Sequence, residues 1–464
     1  MVLSLVALCE LAVAANEPQP LRRPNVLFIA VDDLNHWVGY LGRNPQTLTP
    51  NIDRLAKRGM WFTRSYCAAP LCNPSRAALM SGLRPGASGV YDNDHDYKAA
   101  IPVDITLPTQ FRKAGYFVCG AGKIFHNVEG RTGEWDDWLG NVKTPKGEES
   151  IRLPEALHAG HLPIAPLDCR DEEMRDSQYV DYAIRQLNQK HDRPFFIACG
   201  LTKPHLPWSV PEKYYEKFPL ESIQLPPFKE DDLDDLPPIA REFVNQPADD
   251  HPAIMRAGGT NVWKQAIRAY LATINFSDAM VGRLLDAYEK SPERDNTIIC
   301  FWSDHGWHLG EKHHWRKFTL WEEGTRAPFI MVVPGLTQPD TRCDRTVDFM
   351  SIYPTLTDLC GIPTPAHVQG RSLRPLLADP TVSWSPAITT YGRNNHTVRS
   401  EDWRYTRYAD GGEELYHESN DPYEWTNLVR VAGADHPAKT DLRKLLPKEN
   451  KPPPVNGKAA NNPE

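Results

Sequence analysis

Short runs of consecutive apolar residues alternate along the chain with segments whose apolar residues recur at helical spacing. The helical patterns begin at Thr49 and cover residues 177–189 and 263–288. Because strands that alternate with helices are typical of α/β folds, the pattern predicts an α/β sandwich around a large, mostly parallel sheet. We expect four apolar runs to be buried parallel strands of that sheet: Asn25-VLFIAV, Phe195-FIACGL, Thr297-IICFWS and Pro328-FIMVV.

The periodicity changes after about residue 375, where short alternating segments replace the long apolar runs. Such alternation predicts a small antiparallel sheet, and we place it in a C-terminal subdomain over residues 376–448. The main α/β domain then covers residues 20–375, and the proline- and lysine-rich end, residues 449–464, is expected to be disordered. Residues 207–252 are acidic and rich in proline, which fits either a lid on the substrate side or a decorated surface loop.

Composition narrows the possible partners. The 464 residues carry a net charge of −8, which argues against a nucleic-acid-binding surface. The first residues, MVLSLVALCELAVAAN, end near an Ala12-Val13-Ala14 run that resembles a signal-peptidase site, so residues 1–15 are predicted to be an export signal, the alternative being a frayed terminus. No later apolar run approaches ~18 residues, so we expect no stable membrane insertion. The export signal predicts a protein that is periplasmic, secreted or lumenal.

Carboxylates follow two of the predicted strands directly. Asp32 and Asp33 end the first strand, and Asp304 with His305 follows the run that starts at Thr297. The carboxyl ends of parallel strands meet at one edge of a sheet, so these groups should lie close together. Carboxylate oxygens suit a hard divalent cation such as Ca²⁺ or Mg²⁺, although a solvated turn or helix cap would use the same residues.

Basic side chains form a second set of candidates. These are Lys123 and His126 in Gly-Lys-Ile-Phe-His, Lys203 and His205 in Lys-Pro-His, and Lys317 after a histidine-rich loop. Each alone is compatible with a solvated lysine or a satisfied core histidine. Together they would bind a tetrahedral anion bridged to a metal and supply a proton to a leaving alcohol.

Cys72 completes the candidate chemistry. None of the nine cysteines forms a C-x-x-C pair, which argues against a zinc ribbon or a thioredoxin site. Arg76 lies four residues after Cys72, about one helical turn, so both side chains can face one pocket if a helix begins here. A helix start favours negative charge, whereas a buried cysteine before a helix is the simpler alternative.

The run Cys72-Asn73-Pro74-Ser75-Arg76 matches the C-x-P-S-R signature of type I sulfatases, and the chain resembles this family from about residue 24 to residue 430. Asp304-His305, the Gly-Lys-x-Phe-His run and Lys-Pro-His make it most similar to the iduronate-2-sulfatase subgroup, from which His308 and the His313-His314 pair depart. Further runs occur in the family's order: Asn25-VLFIAVDD, Thr49-PNIDRLA, Ser303-DHGWHLGE, Gln369-GRSL and Glu414-LY.

The resemblance implies an alkaline-phosphatase-like fold in which Cys72 is oxidised to Cα-formylglycine by a formylglycine-generating or sulfatase-maturating enzyme. One hydroxyl of the hydrated aldehyde attacks sulfur, and the other then loses its proton so that sulfate is released. The implied ligands of one Ca²⁺ are Asp32, Asp33, Cys72, Asp304 and, less firmly, His305. The implied sulfate-binding and catalytic residues are Arg76, Lys123, His126, His205 and Lys317, with His126 or His205 as the proton donor.

Two alternatives stay open. A phosphodiesterase or phosphonate monoester hydrolase of the same fold would share the metal and the anion pocket. A non-catalytic glycan-binding protein would result if Cys72 stayed unmodified. The sequence predicts a sulfated saccharide as substrate but leaves open the sugar, the sulfated position, exo or endo action and the oligomeric state.

Overall fold

The computed structural model describes residues 23–145, 148, 157–159, 162–432 and 436–454. Its strands are β1 Asn25–Val31, β2 Met60–Tyr66, β3 Phe117–Gly122, β4 Asp137–Leu139, β5 Leu157–Ala159, β6 Leu162–Leu167, β7 Phe195–Leu201, β8 Trp208–Pro211, β9 Thr297–Ser303, β10 His308–Leu309, β11 Trp315–Arg316, β12 Phe329–Val332, β13 Thr341–Asp348, β14 Ala387–Thr390, β15 His396–Arg399, β16 Trp403–Arg407 and β17 Glu413–His417.

The α-helices of the described residues are α1 Pro50–Ala56, α2 Cys72–Ser81, α3 Pro85–Ser88, α4 Tyr97–Ala100, α5 Leu107–Lys113, α6 Arg175–Asn188, α7 Glu212–Tyr215, α8 Pro238–Val244, α9 Asp250–Gly258, α10 Thr260–Lys290, α11 Glu322–Thr325, α12 Ile352–Leu359, α13 Arg374–Ala378, α14 Leu428–Ala432 and α15 Pro437–Arg443. The three helices predicted from periodicity are confirmed as α1, α6 and α10, the last two being longer than predicted at one or both ends.

Eight of the described strands form one sheet in the order β13-β2-β12-β9-β1-β7-β3-β4. The four apolar runs are confirmed as β1, β7, β9 and β12, and β1 pairs in parallel with both β7 and β9. The predicted direction of the fourth run is wrong, because β12 is antiparallel to β9 and to β2. The chain between β9 and β12 stays at the carboxyl edge of the sheet instead of crossing back, so β12 has to run in the opposite direction.

Helices cover both faces of this sheet, as an α/β sandwich requires. Alternate residues of β1 point to opposite faces, so that Leu27 and Ile29 join the core built on α6 and α10, while Val26 and Phe28 join the core built on α2, α5 and α12. Every residue of β1 is buried, which is why the strand reads as an unbroken apolar run rather than as an alternating one.

The predicted C-terminal sheet is confirmed as the antiparallel strands β14 to β17. Arg404 of β16, fully buried, joins this sheet to the main domain by donating to the carbonyl of Leu320 (3.0 Å) and by an ion pair with Glu322. Within the C-terminal residues it also pairs with Glu418 (3.1 Å) and Glu424 (2.6 Å). The boundary near residue 375 stays a prediction.

Of the two segments predicted at the chain ends, only part of the C-terminal one is described. The expected export signal, residues 1–15, and residues 455–464 of the expected tail lie outside the described residues. Residues 449–452 are described and contact the main domain, where the Lys451 amide donates to Gly86 O (2.9 Å) and Tyr91 Oη donates to Lys451 O (2.8 Å).

The described residues contain no helix with the length and apolar character needed to cross a bilayer. Within the same residues, the eight cysteines from Cys67 to Cys360 are free thiols, and seven of the eight are buried.

Candidate functional site

The carboxyl edge of the central sheet brings the candidate groups together. Asp32 and Asp33 follow β1, Lys123 follows β3, and Asp304 and His305 follow β9. Because these three strands are parallel, their following residues meet at one edge. The expected proximity of Asp32, Asp33, Asp304 and His305 is therefore found. That they form one functional site stays a prediction.

Cys72 is the first residue of α2 and is fully buried. Its Sγ lies 3.3 Å from His305 Nε2 and 3.7 Å from Asp33 Oδ1, and it accepts a hydrogen bond from Lys317 Nζ at 3.3 Å. The amino end of a helix carries partial positive charge, which adds to that of the lysine. The positive charge around position 72 therefore favours an anionic or polar side chain there over an apolar one.

Asp32 and Asp33 reach the same site because the backbone turns between them. Asp33 has a φ of 58°, a left-handed conformation that is uncommon for a residue other than glycine. The Asp33 amide donates to Asp304 Oδ1 (3.0 Å), and Tyr270 Oη donates to the Asp33 carbonyl (2.7 Å). These contacts hold the turn that directs two consecutive carboxylates towards one centre.

Arg76 bridges two of the carboxylates of the site, Asp32 and Asp304. Its Nε donates to Asp304 Oδ2 and its Nη2 to Asp32 Oδ1, both at 2.9 Å, and the side chain is fully buried. Its Nη1 donates to the carbonyls of Lys123 and Ile124, so the whole guanidinium fork is engaged. Lys123 Nζ adds a second cation on Asp32, 2.6 Å from Oδ2.

Two overlapping groups of side chains have the spacing of a metal site. One consists of Asp32, Asp33, Cys72 and His205, and the other of Asp33, Cys72, Asp304 and His305; within each group the possible ligand atoms lie within 4.8 Å of one another. Three of these residues are carboxylates, and oxygen donors of this kind suit a hard divalent cation. The described residues therefore contain a buried cluster able to hold such a cation.

Burial and neighbouring charge move the pKa values of the two aspartates in opposite directions. Burial acts to raise the pKa of Asp32, but Lys123 and Arg76 outweigh it and hold that pKa well below its ordinary value. For Asp33, burial raises the pKa well above its ordinary value, because Lys317 compensates only in part. A cation shared with Asp32 and Asp304 would keep Asp33 ionised, which fits the chemistry of the cluster.

The surroundings move the pKa values of the two histidines at the site in opposite directions. The pKa of His305 is raised to about 9, because Asp304 and Cys72 overcome the effect of burial. The pKa of His205 is lowered well below its ordinary value by burial and by Lys123 and Lys317. His205 Nε2 lies 3.8 Å from Asp33 Oδ2, and its Nδ1 lies 2.6 Å from the carbonyl of Leu206.

Two further basic candidates lie at the same edge. Lys203 donates through Nζ to the carbonyl of Pro207 (2.5 Å), and its amide donates to Asp176 Oδ2 (2.9 Å), so it holds the Lys-Pro-His turn. Burial lowers its pKa to about 8. His126 is half-buried in the loop after β3, three residues beyond Lys123.

Two residues that position the site were not singled out in the sequence. Tyr270 on α10 accepts from the Asn35 amide (3.0 Å) besides donating to Asp33, and Ser75 Oγ donates to the Asp304 carbonyl (2.5 Å). Ser75 lies inside the C-x-P-S-R run and could have been considered there. Tyr270 is one of many apolar-face residues of a long helix, and no local pattern distinguishes it.

Comparisons with known proteins agree with this geometry. A family profile described as Sulfatase matches residues 24–362, and one described as N-sulphoglucosamine sulphohydrolase, C-terminal, matches residues 310–451. A protein named Sulfatase from Formosa agariphila is 39% identical over 473 residues, which cover 96% of this chain and 91% of the relative. Iduronate 2-sulfatase of Homo sapiens is 30% identical over 389 residues, covering 74% and 70% of the two chains.

A solved structure gives the same result for the fold. A protein in complex with its substrate D-glucosamine-2-N,6-O-disulfate superposes with a TM-score of 0.73 at 25% identity, covering 91% of this chain and 97% of its own. The sulfatase profile extends over every strand of the central sheet and over the residues of the candidate site. The chain therefore belongs to the type I sulfatase family and is a sulfuric ester hydrolase with the family's alkaline-phosphatase-like fold.

Proposed function

We propose that the protein removes sulfate from a sulfated saccharide, with the oxidised side chain of Cys72 as nucleophile and one Ca²⁺ as cofactor. The observation that carries this proposal is the position of Cys72 Sγ, 3.3 Å from both Lys317 Nζ and His305 Nε2 and beside the carboxylate cluster. A saccharide substrate is supported by the neighbour solved with a disulfated glucosamine and by the iduronate 2-sulfatases among the relatives.

The proposed Ca²⁺ ligands are Asp32, Asp33, Asp304 and the side chain at position 72, with His305 as a further ligand. The bound cation would supply positive charge to sulfate oxygens and to the attacking oxygen. Three buried carboxylates face three buried cations, Arg76, Lys123 and Lys317, before any ion is added. A sulfate ester carries one negative charge, so a divalent cation and a bound sulfate ester together would change the net charge of such a site by only one unit.

The formylglycine proposed at position 72 would provide, when hydrated, one hydroxyl to attack sulfur and a second hydroxyl whose deprotonation releases sulfate. The residues of the chain prepare this side chain for reaction. Lys317 donates to the atom at the γ position from one side, and His305 contacts it from the other. Arg76 holds Asp32 and Asp304 in place and so fixes the carboxylates around the reacting atom.

The sulfate group is proposed to be held by Lys123 and Lys317, with His126 and His205 beside them. Each lysine already contacts one aspartate, at 2.6 Å and 3.2 Å, so both ammonium groups are positioned before substrate binds. Charge-assisted hydrogen bonds of this kind are shorter and stronger than neutral ones. Lys203 donates to the Pro207 carbonyl instead and lies outside this proposed set.

We infer that His205 protonates the leaving oxygen. Its Nδ1 faces a backbone carbonyl, which leaves Nε2 directed towards Asp33 and the reacting centre. Its pKa is lowered by burial and by Lys123 and Lys317. The negative charge of a bound sulfate ester would offset part of the effect of these two lysines and so raise the pKa of His205 when substrate is present, which is when a proton is needed.

Maturation and export belong to the same proposal. A formylglycine-generating or sulfatase-maturating enzyme would oxidise Cys72 before the chain folds around it, and residues 1–15 would direct export. Mass spectrometry of a peptide spanning residues 65–84 tests the oxidation, which lowers the mass by about 18 Da. An unconverted cysteine in active protein from its own cell would refute the proposed nucleophile.

A second assay separates the two hydrolase classes that share this fold. Matured protein is given an aryl sulfate and the matching phosphate diester, with and without added Ca²⁺. The proposal requires faster turnover of the sulfate ester and loss of that turnover with a chelator. Preference for the phosphate diester would instead favour a phosphodiesterase.

A further inference from the structure

The acidic, proline-rich residues 207–252, here the acidic segment, do not form a detached loop. They pack against residues 306–318, here called the lysine loop, which contains Lys317 near its end. Five consecutive residues of the lysine loop contact the acidic segment through polar atoms. The contacts are Lys312 Nζ to Asp232 Oδ1 (2.9 Å), His313 Nε2 to Lys229 O (3.1 Å), His314 Nδ1 to Val244 O (2.7 Å), Trp315 Nε1 to His251 Nδ1 (3.3 Å) and Arg316 Nε to Asp250 Oδ2 (2.8 Å).

The lysine loop has an unusual backbone that needs such support. Lys312, His313, Arg316 and Phe318 have φ values of 51°, 55°, 72° and 74°, although none is a glycine. Left-handed conformations are unfavourable for residues with a Cβ and persist where the surroundings fix them. Two of the four residues flank Lys317, so the conformation at Arg316 and Phe318 decides where the Lys317 side chain points.

Of these five contacts, the Arg316–Asp250 pair is the one nearest to Lys317 along the chain. Arg316 is 6% exposed and Asp250 is 3% exposed. A second contact, from Arg316 Nη2 to Asp250 Oδ1 at 3.5 Å, means that the guanidinium contacts both carboxylate oxygens. A buried arginine that lost this carboxylate would be drawn towards other acceptors or water. The backbone at Arg316 would then relax towards an ordinary conformation and move Lys317 with it.

We propose that Asp250 is a positioning residue for the sulfatase reaction, acting through Arg316 to direct Lys317 Nζ towards Asp33 and Cys72. The acidic segment is then part of the active-site construction, neither a lid nor a surface decoration. The inference rests on the proposed sulfate-binding role of Lys317. Lys317 Nζ lies 3.2 Å from Asp33 Oδ1 and 3.3 Å from Cys72 Sγ, and a displacement of about 1 Å at such a site can cost about 100-fold in rate.

The test is a double-mutant cycle on matured, Ca²⁺-loaded protein with Asp250→Asn and Lys317→Met. Turnover of an aryl sulfate and inhibition by inorganic sulfate are both measured. Asp250→Asn should lower kcat/KM about 10- to 100-fold, mainly through KM, and weaken sulfate inhibition in parallel. In the Lys317→Met background the same substitution should change kcat/KM by less than about twofold, because its effect passes through the lysine.

Asp232→Asn is the matched control. Asp232 of the acidic segment is 1% exposed and pairs with Lys312, which lies in the lysine loop five residues before Lys317. The Asp232→Asn variant should lose thermal stability, as Asp250→Asn does. Its inhibition constant for inorganic sulfate should stay within about twofold of the value for the parent. Where Asp250→Asn does not fold, Asp250→Glu and Arg316→Lys take its place in the cycle.

Three outcomes would overturn the inference. The first is that Asp250→Asn leaves KM and sulfate inhibition unchanged, and the second is that it lowers kcat/KM equally with and without Lys317. The third is that Asp232→Asn weakens sulfate inhibition as much as Asp250→Asn does. If Lys317→Met strongly weakens sulfate inhibition while Asp250→Asn does not, the positioning role is wrong and the proposed function stands. If Lys317→Met itself has no effect, the role of Lys317 in the proposed function is wrong as well.

Discussion

Replacing Arg76 by methionine removes a buried guanidinium that bridges Asp32 and Asp304. Methionine keeps much of the length and none of the charge, so the packing against Trp302, whose ring centre lies 5.5 Å from the guanidinium, is largely retained. Asp32 and Asp304 then lose their contacts with Nη2 and Nε, both 2.9 Å long. Lys123 remains beside Asp32, but Asp304 loses its closest cation.

The cost follows from the burial of all three groups, which are fully inaccessible to solvent. Removing one partner of a buried ion pair costs about 3–5 kcal/mol of unfolding free energy, since a charge is left without compensation. Unfolding entropy near 2.1 cal/mol/K per residue gives roughly 1 kcal/mol/K for a chain of 464 residues. The expected decrease in melting temperature, measured with a chelator present, is therefore about 3–5 °C.

Calorimetry at a series of pH values tests the electrostatic reason. The pKa of Asp32 is held below its ordinary 3.8, so its ionised form stabilises the protein above that pH and the contribution is lost as the pH falls further. Without Arg76 the pKa of Asp32 is higher than in the parent, although Lys123 still lowers it, so the gap in stability between variant and parent should be largest near neutral pH and should narrow once acid protonates Asp32 of the variant. Arg76→Lys, which keeps the charge, is the control, and a gap that is constant with pH would contradict an electrostatic origin.

Four further substitutions have defined outcomes. Cys72→Ala should keep the fold, seen by circular dichroism, and abolish turnover, and retained activity would refute the nucleophile. Asp304→Ala should lose bound metal and most activity, and elemental analysis showing an unchanged metal content would disprove its role as a ligand. His205→Ala should slow a substrate with a poor alkoxide leaving group more than an aryl sulfate with a good one, because only the former needs a proton, and equal losses would argue against a general acid. Arg404→Met should cost about 3–5 kcal/mol and expose the C-terminal sheet to proteolysis, and a protease-resistant variant would show that other contacts hold the sheet.

Three of the strands that the sequence predicted are buried on both faces. β1, β7 and β9 lie in the middle of the sheet and read as unbroken apolar runs. β2 and β13 were not predicted, because polar residues such as Thr63, Arg64 and Asp344 interrupt them where the sheet approaches its edge. The direction of β12 was also missed, since strand direction depends on the path of the connecting chain and not on the strand's own residues.

The candidate site, too, was predictable from the sequence only in part. The C-x-P-S-R run and the strand-end residues were identifiable because each is a local pattern at a predictable place. Tyr270 and Asp250 were not, since each acts through a contact with a residue far away in the chain, Asp33 or Arg316. The acidic segment could be read as a lid or as a decorated loop until its contacts with the lysine loop were known.

By itself, the sequence determined the α/β class, the family and the residue at which the proposed reaction takes place. These follow from short-range patterns: apolar runs that can only be buried, and a signature around Cys72 whose residues are neighbours in the chain. Only the tertiary structure decided how Arg76 bridges two aspartates, how the backbone turns at Asp33, and how the acidic segment meets Lys317. Those relations join residues separated by tens to hundreds of positions, and their energies exist only when folding has removed the groups from water.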